Sequence, residues 1–335
     1  MSDLLLTYII PLYNTETYVL KCLQSIVDQD LSPDQYEVIV VDDGSTDGSR
    51  AVVEGFAREH SQVMLLTQDN AGVSAARNLA LKHASGRYLQ FVDSDDYLMG
   101  QTMASLLRRA VSEDLDVMVL NNRKATPDGV VTLATEAFSA STGVMTGVEY
   151  LDGHSMTPYI WRYLVKRDFL ERNQWRFNPS LIVCEDGALI AEFMLSAARV
   201  AHDEAAIYCY VNRSDSAMHN SGLNHLRKRL YSQIDSASII DGTIKRFQHD
   251  NRQDAPASVA GLRNVYLFFA LTRAFTAGIV DDVLDHMRDA GLYPFPCVGP
   301  EANYGGTKWK IIHSLMMHPR LWSMLSMLYL KIKKN

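Results

Sequence analysis

The run Gly86-Arg87-Tyr88-Leu89-Gln90-Phe91-Val92-Asp93-Ser94-Asp95-Asp96 joins a strand-like apolar stretch to three carboxylates. Carboxylates packed this closely repel one another and are costly beside an apolar core unless a cation compensates. In open α/β sheets the end of a strand points into the crevice where ligands bind. Hard divalent cations take one or two protein carboxylates there and complete their shell with water and substrate phosphate oxygens. The string therefore reads as a metal–phosphate site, with a solvated acidic loop as its alternative until the flanking segments are weighed.

Upstream, strand-like and helix-like segments alternate. Leu4 to Leu12 is apolar and β-rich, and Thr15 to Gln29 carries Val19, Leu20, Leu23, Ile26 and Val27 at helical spacing, with Asn14 as its expected cap. Glu37 to Val41 is a second strand, followed by a helix reaching about His60. Val63 to Leu66 and Val73 to His83 repeat the pattern, so the strand before the acidic string is the fourth. Strands apolar throughout and separated by helices imply a mostly parallel sheet covered on both faces. The expected fold class is α/β, a Rossmann-like central sheet flanked by helices with a mainly helical C-terminal extension. Beyond the string come a helix from Thr102 to Val111, a strand from Asp116 to Leu120 and a turn at Pro127-Asp128-Gly129. From about Gly222 the chain reads as helical, with a break from Asn251 to Pro256. The expected organisation is residues 1–220 as one domain (halves 1–120 and 121–220) and 221–335 as the helical region.

Composition bounds the function. An apolar content of 47% with 21% charged residues is that of a globular protein, and a net charge of −7 argues against nucleic acid as a partner. Cys22, Cys184, Cys209 and Cys297 are too scattered for a zinc site and too sparse for a disulfide scaffold. With no basic segment leading into an apolar stretch at the N-terminus, a cytoplasmic location is expected. The tail from Thr307 holds Lys308, Lys310, Arg320, Lys331, Lys333 and Lys334 and no acidic residue. Leu321, Trp322, Leu325, Leu328, Tyr329 and Ile332 form a helical stripe, with Ser323, Ser326 and Lys333 opposite. A basic, Trp-bearing helix of this kind lies on an anionic membrane surface or docks on its own protein.

Asp42-Asp43-Gly44-Ser45-Thr46-Asp47-Gly48 is a second acidic cluster. Read from Asp43 it approaches a calcium-binding EF-hand loop, but such a loop follows a helix and this one follows a strand. A strand-to-helix turn capped by Ser45 or Thr46 fits better, with a carboxylate free to meet a base or ribose. Glu185-Asp186 opens an apolar helix, where carboxylates also complement the helix dipole. Asn70 to Asn78 opens another with small residues, and its Arg77 suits either a phosphate or a neighbouring carboxylate.

Four strings, in order and spacing, complete the argument: Ile9 to Asn14, Val40 to Asp47, Gly72 to Asn78 and Phe91 to Leu98. Together they closely resemble the inverting family 2 glycosyltransferases with the GT-A fold, particularly bacterial enzymes of surface-polysaccharide assembly. The resemblance implies that Pro11, Tyr13, Glu16 and Asp43 line the nucleotide of a UDP-sugar. Arg77, Asp93 and Ser94 would support that pocket. Asp95, with Asp93, would hold Mn²⁺ or Mg²⁺ through the Asp-x-Asp motif. Asp186 would be the general base, with Glu185 beside it. Arg213 or His219, in the loop after Tyr208-Cys209-Tyr210, would reach the leaving diphosphate or the metal. The acceptor would be a saccharide or lipid-linked hydroxyl. Two other classes remain: a nucleotide-sugar-binding protein without turnover, and a sugar nucleotidyltransferase. The latter needs a Gly-rich basic loop after the first strand, and Pro11-Leu12-Tyr13-Asn14-Thr15 is not one.

Overall fold

The computed structural model describes residues 4–126, 130–134, 139–212, 222–293, 314 and 318–334. The chain forms two compact units. The first comprises Met1–Tyr150, Tyr159–Pro179 and Ser196–Ser216; the second comprises Leu151–Pro158, Ser180–Leu195 and Ala217–Asn335.

The first unit alternates β1 (Leu6–Leu12), α1 (Val19–Val27), β2 (Tyr36–Asp42), α2 (Ser49–Glu59), β3 (Val63–Thr67), α3 (Val73–His83) and β4 (Tyr88–Phe91). It continues through β5 (Tyr97–Leu98), α4 (Met103–Ser112), β6 (Val117–Ala125), β7 (Val131–Leu133) and α5 (Gly147–Gly153), whose last residues enter the second unit. β8 (Tyr163–Lys166), α6 (Arg167–Arg172) and, after α7 (Glu185–Ser196), β9 (Val200–Val211) complete the sheet region. Among the described residues the sheet runs β3-β2-β1-β4-β8-β6-β9-β5, with β7 on β6. β1, β2, β3 and β4 pair in parallel, as their uninterrupted apolar runs predict. Beyond β4 the sheet is mixed: β8 lies antiparallel to both β4 and β6, and β9 is parallel to β6.

Register decides what the sheet presents. Leu12 lies opposite Asp42 and Ile9 opposite Phe91, so the segments after β1, β2 and β4 leave the sheet at one edge. β8 runs the other way, and a 3₁₀ turn before it, Ile160–Arg162, reaches that edge too. In β9 the register slips between Leu120 and Asn122 of its partner, a bulge immediately before Tyr208.

α1 shows why the helices seat as they do. Val19, Cys22, Leu23 and Ile26 are buried at i, i+3, i+4 and i+7, each large apolar side chain contributing about 1.5–3 kcal/mol. Leu20 falls off that stripe and stays exposed. The helix begins later than the apolar spacing suggests, and Asn14 does not cap it. Asn14 sits at φ 50° and its Oδ1 instead accepts from Thr46 N at 2.8 Å. Nor do Ser45 or Thr46 cap α2: Asp47 Oδ1 accepts from Ser49 N at 3.0 Å.

The second unit holds most of α7 and then α8 (Leu223–Asn251), α9 (Ala257–Ala277), α10 (Val280–Asp289) and α11 (Pro319–Lys334). The break between α8 and α9 falls at Arg252–Pro256, where Arg252 takes the left-handed conformation that ends the longer helix. α9 is apolar around much of its circumference and sits among α8, α10 and α11.

Candidate active site

The edge of the first unit collects most of the residues singled out in the sequence. At the end of β1, Pro11 is half-buried and Tyr13 is exposed. Thr15 N donates to Ser49 Oγ at 2.8 Å, and Thr15 Oγ1 donates to Ser94 Oγ at 3.0 Å. Ser94 thereby ties the acidic string to the loop after β1. Glu16 Oε2 accepts from Gly48 N at 2.9 Å, and a Cβ at position 48 would lie 2.4 Å from Glu16 Oε1. The Glu16 carboxylate lies where a side chain at 48 would begin, so a larger residue there would have to move it.

Asp43 is buried, yet it accepts three hydrogen bonds. Its Oδ1 takes Gln68 Nε2 at 2.7 Å and Ala71 N at 2.8 Å, and its Oδ2 takes Gly72 N at 2.9 Å. Three charge-assisted bonds offset the cost of burying a carboxylate. They fix the approach of the chain to α3, and α3 in turn delivers Arg77.

Arg77 is 3% exposed and donates to Asp93 Oδ1 at 3.0 Å, with its guanidinium 5.1 Å from the centre of the Phe177 ring. Asn78 locks Phe177 in place through two hydrogen bonds with its backbone, at 2.7 and 3.0 Å. Arg77 is therefore a brace for the acidic string.

The three carboxylates of that string have separate surroundings. Asp93 pairs with Arg77, and its N–H donates to Tyr208 Oη at 3.1 Å. Asp96 is buried: Tyr208 Oη donates to its Oδ2 at 2.5 Å and Val211 N to its Oδ1 at 2.7 Å. Burial, then Asp93 and Asp95, push the Asp96 carboxyl well above the usual carboxylate range, against the pull of those two hydrogen bonds. Asp96 is thus the post to which β9 is tied. Asp95, half-buried between them, is the remaining acid of the string. Tyr208 and Trp161, which the sequence did not single out, build this corner. Their rings stack 4.3 Å apart at 6°, with Tyr159 and Tyr210 stacked on Trp161 at 5.1 and 6.2 Å. The aromatic alternation Tyr208-Cys209-Tyr210 is a sequence signal that could have found Tyr208.

Glu185 and Asp186 lie in the second unit, in the first turn of α7. The approach to that turn is clamped: Ser232 Oγ accepts from Ile182 N at 2.9 Å and Val183 N at 3.2 Å, and Ser236 Oγ donates to Cys184 O at 2.8 Å. Gly187 leaves room for Tyr266, whose Oη would lie 2.3 Å from a Cβ there. Burial, then Glu185, pushes the Cys184 thiol up to about 12, so it stays protonated and unreactive at neutral pH. The serines of α8 were not legible as partners because nothing local links them to residues 50 positions away. Arg213 and His219 lie outside the described residues.

Among the described residues no three His, Cys, Asp or Glu side chains form a group able to hold a metal ion. The donor set still suits a magnesium-like ion, which takes one or two carboxylates and completes its shell from water and phosphate. Asp95 and Asp93 supply that number.

Residues 7–195 match the model of the family described as Glycosyl transferase family 2. The chain is 33% identical over 239 residues to the uncharacterized glycosyltransferase YibD of Escherichia coli, a match covering 68% of each chain. It is 30% identical over 216 residues to the uncharacterized glycosyltransferase EpsJ of Bacillus subtilis, covering 63% of this chain and 62% of EpsJ. Its fold matches the crystal structure of S. aureus TarS 1-349 in complex with UDP-GlcNAc with a TM-score of 0.71 and 21% identity. That alignment covers 96% of this chain and 89% of the other. A parallel four-strand edge, an acidic turn braced by Arg77 and a family match over more than half its length agree: the chain belongs to glycosyl transferase family 2 and is a GT-A glycosyltransferase.

Proposed function

We propose that the protein transfers a sugar from a UDP-sugar to a hydroxyl of a saccharide or lipid-linked acceptor, with inversion, in the assembly of a bacterial surface polysaccharide. The observation that carries this is the division of labour in the acidic string. Asp96 and Asp93 are held by Tyr208 and Arg77 at the carboxyl end of β4, with Asp95 between them. A rigid carboxylate at that edge suits a nucleoside diphosphate and its counter-ion. The relatives support the donor class: TarS of S. aureus, 27% identical over 208 residues, is named a poly(ribitol-phosphate) beta-N-acetylglucosaminyltransferase and has been seen with UDP-GlcNAc. A reducing, cytoplasmic compartment suits the free thiols of Cys22, Cys184 and Cys209.

Asp95 and Asp93 would hold Mn²⁺ or Mg²⁺, which neutralises charge building on the leaving diphosphate. Asp186 accepts the proton of the acceptor hydroxyl, and Glu185 stands beside it in the helix turn. As the acceptor oxygen bonds to the anomeric carbon, the bond to the diphosphate oxygen breaks and its electron pair leaves with the nucleotide. Attack and departure on opposite faces invert the configuration. Pro11, Tyr13, Glu16 and Asp43 shape the nucleotide side, Glu16 and Asp43 through the backbone amides they hold.

The test is UDP release across a panel of nucleotide sugars, with and without Mn²⁺ or Mg²⁺. Release with at least one UDP-sugar, lost on chelation, is the expected outcome. Binding of UDP by calorimetry without any turnover would instead mark a nucleotide-sugar-binding protein. Asp186→Asn should lower transfer by about 10²–10⁴-fold while leaving UDP affinity unchanged, as removal of a general base does.

A further inference from the structure

The last helix docks by one side only. Trp322 is 5% exposed, with its ring 4.4 Å from that of Phe275. Ser326 Oγ donates to Phe275 O at 2.6 Å, Ser323 Oγ donates to Asp281 Oδ2 at 3.0 Å, and Leu330 covers Gly278. The hydroxyls that the sequence placed opposite the apolar stripe therefore belong to the docked side. The stripe itself is split, with Trp322 inside and Leu321, Leu328 and Ile332 outside.

At about 100° per residue, the side opposite Trp322 and Ser326 carries Met324, Met327, Leu328 and Ile332. Their exposures are 55%, 57%, 53% and 68%. Exposed Arg320 and Lys331 lie within the same arc, and no acidic residue does. We propose that this outer face of α11 seats on an anionic lipid surface.

Three features select that occupant. A contiguous exposed apolar face is uncommon on a free-standing protein and marks an interaction surface. Its charges are all positive, and no acidic residue follows Thr307, although the chain as a whole carries −7. The partner must accept buried methyl and thioether groups and supply negative charge at the same depth, as an interface of acyl chains and anionic headgroups does. There Arg320 and Lys331 keep their heads among phosphates while their stems lie along the apolar surface. A second copy docking face to face would set Arg320 and Lys331 against their own like charges. No helix among the described residues is long and apolar enough to cross a membrane, so α11 would lie in the plane of the interface.

The experiment is co-sedimentation of the full chain with vesicles of mixed phosphatidylglycerol and phosphatidylcholine, against vesicles of phosphatidylcholine alone. Partition should be about ten-fold stronger on the anionic vesicles and fall as salt is raised. Met324→Glu with Leu328→Glu should bring it down to the phosphatidylcholine level. Both positions are exposed, so the thermal transition and UDP release should stay as in the wild type. Should that variant misfold, Arg320→Ala with Lys331→Ala reports on the same face and should weaken partition about ten-fold. Equal binding to both vesicle types, or well-folded variants that pellet like the wild type, overturns the proposal. So does a wild-type dimer that these substitutions dissociate in the absence of any vesicle binding.

Discussion

At the end of β2 the chain sets Asp42, Asp43 and Asp47 close together; after β4 it sets Asp93, Asp95 and Asp96 in a turn. Both turns leave the same edge of the same sheet, on either side of β1. In the first, the carboxylates build backbone: Asp42 Oδ1 accepts from Ser45 N at 3.1 Å, Asp43 takes three donors, and Asp47 closes the start of α2. In the second, Asp93 is held by the Arg77 side chain and Asp96 by the Tyr208 hydroxyl and the Val211 amide, with Asp95 between them in the sequence. The sequence pattern is alike. A turn whose acids are spent mainly on backbone amides, its own and those leading into α3, is a structural element, and one braced by the Arg77 and Tyr208 side chains is a candidate site.

The comparison breaks most readily at Asp95. Asp95→Ala should lower the rate of sugar transfer by about 10²–10³-fold, as loss of a group that stabilises leaving-group charge does. It should leave the urea midpoint close to that of the wild type. A large fall in stability with modest loss of activity would make Asp95 a structural acid like Asp43.

Asp43→Ala should show the reverse emphasis. It strips the amides of Ala71 and Gly72 and the Gln68 side chain of their acceptor. A loss of about 2–3 kcal/mol is expected from urea denaturation. An unchanged midpoint would mean that water replaces the carboxylate and that Asp43 is available to the nucleotide.

The smallest effect is expected at Asp47. Its slight desolvation is outweighed by hydrogen bonds from Ser49 and Glu16, so its carboxyl lies below the usual range. A depressed folded value stabilises the native state above the unfolded pKa of about 3.9, and that contribution disappears as pH falls through the folded value. Asp47→Ala should therefore cost up to about 1 kcal/mol at pH 7, an exposed cap being partly screened by solvent. The gap from the wild type should close below about pH 4. A pH-independent difference between the two melting curves would remove the charge from the explanation.

The first four strands were legible because each is an apolar run between helices of 3.6-residue period, and that pattern survives without knowledge of partners. The antiparallel β8 was not: Tyr163–Lys166 is too short for its own pattern to reveal direction, which is set by β4 on one side and β6 on the other. The long helices and the break near Arg252 were visible, since Pro256 and a polar stretch interrupt an otherwise continuous pattern. In the site, Arg77 could be read as a partner for either a phosphate or a neighbouring carboxylate, and the structure pairs it with Asp93. The partner of Asn14 could not be read: a short polar residue before a helix resembles a cap, and its side chain bonds 32 residues away instead. Asp96 held no clue to its role because its partner, Tyr208, arrives 112 residues later on a strand shifted by a bulge.

The contact between Gly48 and the Glu16 carboxylate carries a consequence for the history of this chain. The two positions form one heritable unit. A side chain gained at 48 pushes on the Glu16 carboxylate that accepts from the residue-48 N–H. A larger residue at 48 would require the Glu16 carboxylate to swing aside. Drift in the loop after β1 is thereby coupled to drift in the turn after β2.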